Sequence, residues 1–529
     1  MAREEIKKIV EKSIKELQKK GVFSAFDIPK IKIGQTEVKG RGDYSSSIAM
    51  NIAKENKRSP LETAEILKNQ ILSLKSDIFE KIEIAGPGFI NFFLSQEYLQ
   101  NEVKEILKKK DKFGQLEMGK GKKINVEFVS ANPTGPLTLG NGRGGFCGDV
   151  LTNVLNKAGF EAKREYYVND TGEQIRKLGH SVLGDSEAVY KGDYIEELRK
   201  EIKGNNPEEV GQKAAEIIFE KMIKPSVKKM GINFDVWFFE KELYEKKQVE
   251  KALEVLKKKD LAYEKDGALW FRSTKFNDDK DRVLIKSDKE TTYLASDAAY
   301  LKDKFDRGFD HLIYIWGADH FGYIERVKAM AEALGYKRDQ IDVIIMQLVR
   351  LFEGGQEKRM SKRTGTYVVL DELIDEVGLD VARFFFLTRS PDTHLNFDLD
   401  LARQQSEKNP VFYVQYAHAR ICSILKKTNS FNPQNSNLQL LIHPSESELI
   451  KKLISLPEII EDTANDYQVQ RLPQYAVELA TIFHQFYQNC RVISEDKDLS
   501  ESRLSLVLAT KIVLKNTLDL MGISAPEKM

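Results

Sequence analysis

Residues 124–159 constrain the fold more than any other part of this sequence. A β-prone run, INVEFV at 124–129, leads into ANPTGPLTLGNGRGG at 131–145. Cys147, Val150, Leu151, Val154 and Leu155 then recur at helical spacing before Gly159. Strand, glycine-rich loop and helix in that order begin a doubly wound α/β unit, a fold that holds its ligands at the carboxyl ends of parallel strands. The loop's glycines let backbone amides approach an anion at the helix N-terminus. The loop matches neither GxxxxGK[ST] nor the spacing of a dinucleotide fingerprint, which argues against a P-loop ATPase and for nucleotide chemistry of another type.

Parallel-sheet signals return at HLIYIWGADH and DVIIMQLV, with the helical YIERVKAMAEALG between them. Residues 172–290 are charged and irregular. They carry amphipathic helices near 208–230 and 241–258 and a strand-like ALWF at 268–271, and read as an insertion within the α/β domain. The 529 residues leave room for about three domains. Residues 1–115 read as an N-terminal α+β domain. Ile6, Ile9, Val10, Ile14 and Leu17 share a helical face there, and KIEI, AGPG and FINFFL form a hairpin. Residues 116–395 read as the α/β domain, and 396–529 read as all-helical. Lys108, Lys109, Lys110, Lys112, Lys120, Lys122 and Lys123 mark a linker that is either a solvated charge run or a phosphate-contacting stripe.

Charge excludes an overall polyanion-seeking surface, since 82 basic residues face 81 acidic ones; any nucleic-acid partner must be met by local patches. With 41% hydrophobic and 31% charged residues, wholesale disorder is excluded as well. No apolar run approaches the roughly 18 residues of a membrane helix, and the charged N-terminal helix is not a signal peptide. Cys147, Cys422 and Cys490 are scattered and contain no CxxC pair. The expectation is a reducing cytoplasm, no disulfide and no structural zinc.

A second loop, EKRMSKRTG at 357–365, crowds Arg359, Lys362 and Arg363 after the strand DVIIMQLV. Cations on such a loop suit stabilisation of a leaving pyrophosphate, although taken alone the loop is as readily a solvated surface.

Together the two loops resemble the paired HIGH and KMSKS signatures of class I aminoacyl-tRNA synthetases. SANPTGPLTLGNGRGG, REYYVNDTGEQI, FDVWF, TYLASDAAYLKDKFDRGFDHLIYIWGADHFGY, RMSKRTG, DVARFFFLTRSPDTHLNFDLDLA, NPVFYVQYAHARI and ISAPEKM resemble consecutive landmarks of the arginyl-tRNA synthetases. The likeness runs from about residue 42 to Met529. It implies a Rossmann-type parallel-sheet catalytic domain with a connective insertion, an N-terminal α+β tRNA-binding domain and a C-terminal all-helical anticodon-binding domain. The activity it implies is ATP-dependent conversion of L-arginine to arginyl-adenylate, then transfer to the 3′ end of tRNA(Arg) with release of AMP and pyrophosphate. Mg2+ would accompany the ATP, and the expected state is a monomer.

Residue by residue, the resemblance implies catalytic roles for Thr138, Gly140, Asn141 and Lys362. It implies ATP contacts from Pro133, Gly135, Pro136, Gly140, Asn141, Gly317, Asp319, His320, Arg359, Met360, Ser361 and Lys362. Arginine would meet Glu127, Ser130, Asn132, Tyr293 and Asp297. A guanidinium presents five donors in a planar fork, so carboxylates such as Asp297 and Glu127 accept paired bonds that lysine cannot reproduce. The rival reading for Asp297 is a helix N-cap, and for Glu127 a solvent-facing strand position. For tRNA the candidates are Tyr413, Arg420, His484, Tyr487, Arg491 and Met529, while Phe412 and Tyr416 share a helical face and read as core. One departure stands out. The family's His-x-Gly-His is Thr138-Leu139-Gly140-Asn141 here, so neutral donors replace both imidazoles. That loss motivates the alternative of a catalytically silent tRNA-binding paralogue.

Overall fold

The structure, a computed structural model, describes residues 1–36, 38, 40–358, 369–428, 431–433 and 436–529. At the N-terminus the helix Ala2–Lys19 buries Ile6, Val10, Ile14 and Leu17, as its periodicity requires. The helix Pro60–Ser73 starts where the Ser59 side chain accepts from Glu62 N. Both helices belong to a module built on an antiparallel sheet of β1 (Gly34–Gln35), β2 (Tyr44–Ser46), β3 (Phe79–Ala85) and β4 (Phe89–Leu94), ordered β1-β2-β4-β3. The turn between β3 and β4 needs glycine at position 88, where φ is +127° and a Cβ would lie 2.8 Å from the Pro60 carbonyl.

The central sheet is five-stranded and parallel. Its strands are β5 (Lys123–Glu127), β6 (Glu161–Val168), β7 (Val236–Phe239), β11 (His311–Gly317) and β12 (Ile341–Met346), in the order β12-β11-β5-β6-β7. Alternate residues of β11 enter different cores. Ile313 and Ile315 pack with Phe146 and Val150 of the helix Leu139–Lys157, whereas Leu312 and Tyr314 pack with Ala298 and Met330 on the opposite face. Helices on both faces of a parallel sheet make this the doubly wound architecture expected of the α/β domain.

The expected insertion at 172–290 needs correction at one point. Val236–Phe239, inside that stretch, is no part of an appended module but the edge strand β7, paired with Glu165 to Val168 of β6. The surrounding residues are charged because they form surface helices, which hid a short aromatic strand. The antiparallel sheet of β8 (Ala262–Lys265), β9 (Ala268–Phe271) and β10 (Arg282–Ile285) is separate from the central sheet. The lysine-rich stretch after residue 108 is a packed connector: Phe113 is buried, and Asn516 Nδ2 donates to the carbonyls of Lys110 at 2.9 Å and Phe113 at 3.3 Å.

Beyond the central sheet, β13 (Val349–Glu353) pairs antiparallel with β14 (Gln356–Lys358) and parallel with β15 (Leu395–Asp398). The C-terminal part is helical, including Pro410–Lys426, Leu456–Asp466, Arg471–Asn489 and Lys497–Met521. The N-terminal module meets the C-terminal helical part at Glu458, a buried carboxylate that accepts from Arg3 N at 3.1 Å, Gln35 Nε2 at 2.9 Å and the Tyr44 hydroxyl at 2.9 Å. Among the described residues no helix is long and apolar enough to cross a membrane.

Candidate active site

The candidate side chains gather at the carboxyl ends of β5, β6, β7 and β11. At the end of β5 the chain turns sharply. Val129 has φ +65° and Ser130 φ +36°, and Ser130 N donates to Phe128 O at 2.9 Å across a three-residue turn. A β-branched residue in the left-handed region is strained, and such strain persists where surrounding contacts over-determine it. Here the Ser130 hydroxyl donates to Glu127 Oε1 at 3.2 Å while its oxygen accepts from Tyr167 N at 3.1 Å.

Glu127 is buried in the sheet and does not face solvent, which removes that rival reading. Its Oε2 lies 2.5 Å from the ammonium of Lys304, a side chain with 0% exposure that also sits over the rings of Tyr300 and Tyr314. Asp297 is on the helix Tyr293–Asp306, whose N-cap is Thr292, so the capping role is excluded. Its carboxylate accepts from the Tyr323 hydroxyl. Burial pushes the Asp297 carboxyl up to about 7; the charges of Glu240 and Glu127 reinforce the rise, and the Tyr323 hydroxyl and Lys304 oppose it. Tyr293, one turn earlier on the same helix, is 54% exposed.

Glu240 completes the cluster and was not anticipated. It is buried directly after β7, and its amide donates to Val168 O at 3.0 Å. Burial raises its pKa, and neighbouring Asp170 adds to the rise. Reading VWFF as a sheet strand would have pointed to it, because ligands gather where such strands end. Lys304 and Tyr323 were missed for a different reason: their partners are remote in sequence.

The remaining ligand candidates lie in the loops that follow β5 and β11. Asn132 Nδ2 donates to Gln174 Oε1, and Pro133 is buried in the loop that also holds Gly135 and Pro136. Gly317 ends β11, and the turn Ala318–Tyr323 carries Asp319 and His320 into solvent, with side chains 81% and 57% exposed. Tyr323 of the same turn reaches Asp297, so this loop adjoins the carboxylates.

At the start of the helix Leu139–Lys157, Asn141 Oδ1 accepts from Thr138 N at 3.0 Å and from Thr138 Oγ1 at 2.8 Å. The two residues that replace the family's histidines thus secure each other at the helix N-terminus, where Gly140 is exposed. Asn141 Nδ2 has no protein partner among the described residues. Thr138 also forms an antiparallel bridge with Val369, and Leu370 N donates to Leu137 O at 3.1 Å. The chain leaving the basic loop is therefore held against the glycine-rich loop. Arg359, Met360, Ser361 and Lys362 themselves lie outside the described residues. Among the described residues no group of three or more His, Cys, Asp or Glu side chains is arranged to hold a metal ion.

In the C-terminal domain, Phe412 and Tyr416 are not core as expected. Their rings stack at 6.3 Å and 8° while half-buried, and the Arg420 guanidinium lies 4.7 Å over Tyr416 and 5.6 Å over Tyr487. The helix turns Tyr413 toward the core instead, where its ring lies 5.2 Å from His484 and its hydroxyl 3.3 Å from Thr481 Oγ1. Burial and the Arg420 charge lower the His484 pKa. The structure thus gathers Tyr413, Arg420, His484 and Tyr487. Arg491 instead donates to Ile493 O at 3.1 Å, and Met529 is exposed at the chain end.

Comparisons with known proteins agree with this layout. The chain matches the arginyl tRNA synthetase N-terminal domain over residues 4–94, the class I (R) tRNA synthetase catalytic domain over 102–182 and 185–398, and the DALR anticodon binding domain over 414–529. It is 45% identical to an arginine–tRNA ligase of Caldanaerobacter subterraneus subsp. tengcongensis, covering 100% of this chain and 99% of that one. It is 44% identical to an arginine–tRNA ligase of Carboxydothermus hydrogenoformans, covering 97% and 96%. Thermus thermophilus arginyl-tRNA synthetase shares the fold, with a TM-score of 0.78 at 21% identity over 100% of both chains. With these three profiles matched in order along its length, the chain belongs to the class I arginyl-tRNA synthetases.

Proposed function

We propose that this chain is an arginine–tRNA ligase, which activates L-arginine with ATP and transfers it to the 3′ end of tRNA(Arg). The observation that carries the reading is the carboxylate cluster beside the glycine-rich loop. Among the described residues, Lys304 is the buried cation that meets the cluster of Glu127, Glu240 and Asp297, so negative charge remains for a cationic side chain to meet once Asp297 ionises. Full-length relatives named arginine–tRNA ligases support it.

In this reading the guanidinium lies against Asp297, with Tyr293 at its side and Glu127, Ser130 and Asn132 shaping the adjoining wall. The arginine carboxylate oxygen attacks the α-phosphorus of ATP, and the bond to the β-phosphate breaks. The helix N-terminus at Gly140, with Thr138 and Asn141, offers neutral donors to the phosphates. Pro133, Gly135, Pro136, Gly317, Asp319 and His320 line the nucleotide. Lys362 and Arg359, with Met360 and Ser361 in the same loop, offset the charge of the departing pyrophosphate, and Mg2+ would accompany the ATP. A terminal ribose hydroxyl of tRNA then attacks the activated carbonyl carbon, and AMP departs. Arg420, His484 and Tyr487 form a stacking surface for anticodon bases, backed by Tyr413 from the core side, with Arg491 and Met529 at its margin. A cytoplasmic monomer completes the reading. Nothing in the site favours a catalytically silent relative.

Arginine-dependent exchange of pyrophosphate into ATP, measured with tRNA(Arg) present, tests this directly. Exchange specific for arginine over lysine, impaired in Asp297→Ala and slowed in Lys362→Ala, is the expected result. Binding of tRNA without exchange would overturn it.

A further inference from the structure

We infer that Arg383 and Asp149 form a positioning pair that ties the seating of the C-terminal helical domain to the placement of the helix Leu139–Lys157. The inference rests on the synthetase reading above, because its consequence is felt where the phosphates bind. Arg383, on the helix Leu379–Leu387, is 1% exposed, and its donors reach three separate parts of the molecule. Nε donates to Met521 O at 2.9 Å, Nη1 donates to Met230 O at 2.8 Å, and Nη2 donates to Asp149 Oδ2.

Asp149 lies on the helix that begins at the glycine-rich loop, about three turns beyond Thr138. Its other oxygen accepts from Arg164 Nε at 2.8 Å, and Arg164 Nη2 donates to Asn153 Oδ1 at 2.6 Å. Asn153 Nδ2 closes the circuit on Leu520 O at 3.0 Å. Leu520 and Met521 form the end of the helix Lys497–Met521, within the segment matched by the anticodon-binding profile. Gly522 follows at φ +65°, where a Cβ would stand 2.5 Å from Arg383 Nη2, so the helix end presses directly on the guanidinium.

The charge balance makes this junction more than packing. Two guanidiniums share one carboxylate, so the junction carries excess positive charge. Carbonyls at two helix ends meet that excess: Met521 is the last residue of Lys497–Met521, and Met230 is the C-cap of Lys224–Lys229. Such carbonyls lack intrahelical partners and carry the negative end of the helix dipole. If the C-terminal helix shifts, Arg383 Nε and Asn153 Nδ2 lose their acceptors together. The cheapest response for a buried guanidinium is to follow the helix end and draw Asp149 with it. Asp149 sits on a continuous helix packed through Phe146 against Phe386, so its displacement is passed to Thr138 and Asn141. Any force that RNA exerts on the C-terminal domain therefore has a short, hydrogen-bonded route to the phosphate end of the site.

The test uses the full chain and an RNA hairpin carrying only the anticodon stem-loop of tRNA(Arg), too short to enter the pocket. In the parent, hairpin binding is expected to slow amide hydrogen exchange across 137–145 at least threefold. In Arg383→Lys and in the milder Asn153→Ala, hairpin affinity should stay within twofold while that protection disappears. With whole tRNA, kcat for aminoacylation should fall at least fivefold and the arginine and ATP KM values stay within twofold. Asn153→Ala keeps the Arg383 and Asp149 pair, so it reports even if Arg383→Lys does not fold. Protection that survives in a folded variant, or that the parent never shows on binding the hairpin, overturns the inference. A parent that charges no tRNA overturns the synthetase reading instead.

Discussion

Asp297 shows how a single residue trades stability for recognition. Its raised pKa means that the Asp297 carboxyl is mostly protonated below about pH 7, and its ionisation follows as pH rises. Arginine keeps its charge throughout this range, so the arginine KM is expected to fall as pH rises through about 7 and then level off; the pH profile of pyrophosphate exchange reads this. Asp297→Asn should flatten the profile and raise the arginine KM roughly 100-fold, as loss of a buried charge partner implies. The stability sign is the reverse. A folded carboxyl raised from 3.8 loses stability as pH rises between the two values, so at pH 8 free Asp297→Asn should melt higher than the parent by roughly 1–3 °C. Lys304 has the opposite character. Lys304→Ala leaves Glu127 buried without its cation and should cost about 3–5 kcal/mol in urea unfolding, most of it recovered by adding Glu127→Gln. The sequence marked Glu127 as an acceptor for the substrate. That one of its oxygens is already taken by a lysine 177 positions away could not be read from it.

At the scale of elements, the helix Leu139–Lys157 was legible because glycine-rich loop, apolar period and terminal Gly159 agree with one another. How it begins was not. Two neutral residues secure each other there, which explains why the turn keeps its shape without imidazoles. Asn141→Ala should lose about 1 kcal/mol of stability and slow single-turnover formation of arginyl-adenylate roughly tenfold or more, since it removes both a cap and a donor. The strand VWFF escaped notice because four residues among charged helices produce little periodic signal; it became a strand only by pairing with β6. Phe412 and Tyr416 likewise share a face, but spacing does not say which face meets the core, and the neighbouring helix claimed Tyr413 instead.

At the scale of the whole molecule, the N-terminal module is tied to the C-terminal helices by charged contacts. Arg3 bonds the Asp462 carboxylate, with Nη2 at 2.9 Å from Oδ2, lies 3.4 Å from Glu461 and approaches buried Glu458 at 3.5 Å. Arg3→Ala should therefore weaken docking of the N-terminal module by about 1–3 kcal/mol. Scanning calorimetry should show its unfolding separating toward lower temperature while the central domain keeps its transition. Neither Arg3 nor Glu458 stands out in the sequence, because each is one charge among many on an amphipathic helix.

What the sequence determined by itself was local or motif-borne: the strand, loop and helix of the nucleotide fold, the hairpin at 79–94, the helical C-terminal part, and the family likeness carried by its landmarks. Short-range periodicity and turn chemistry are written in neighbouring residues, so one chain suffices to read them. Tertiary structure alone decided which charges meet. Glu240 joined Asp297, Lys304 neutralised Glu127, and Arg383 bound Asp149 with the end of the last helix. A buried charge is stable only with partners at hydrogen-bond distance, and in this fold those partners come from elements far apart along the chain.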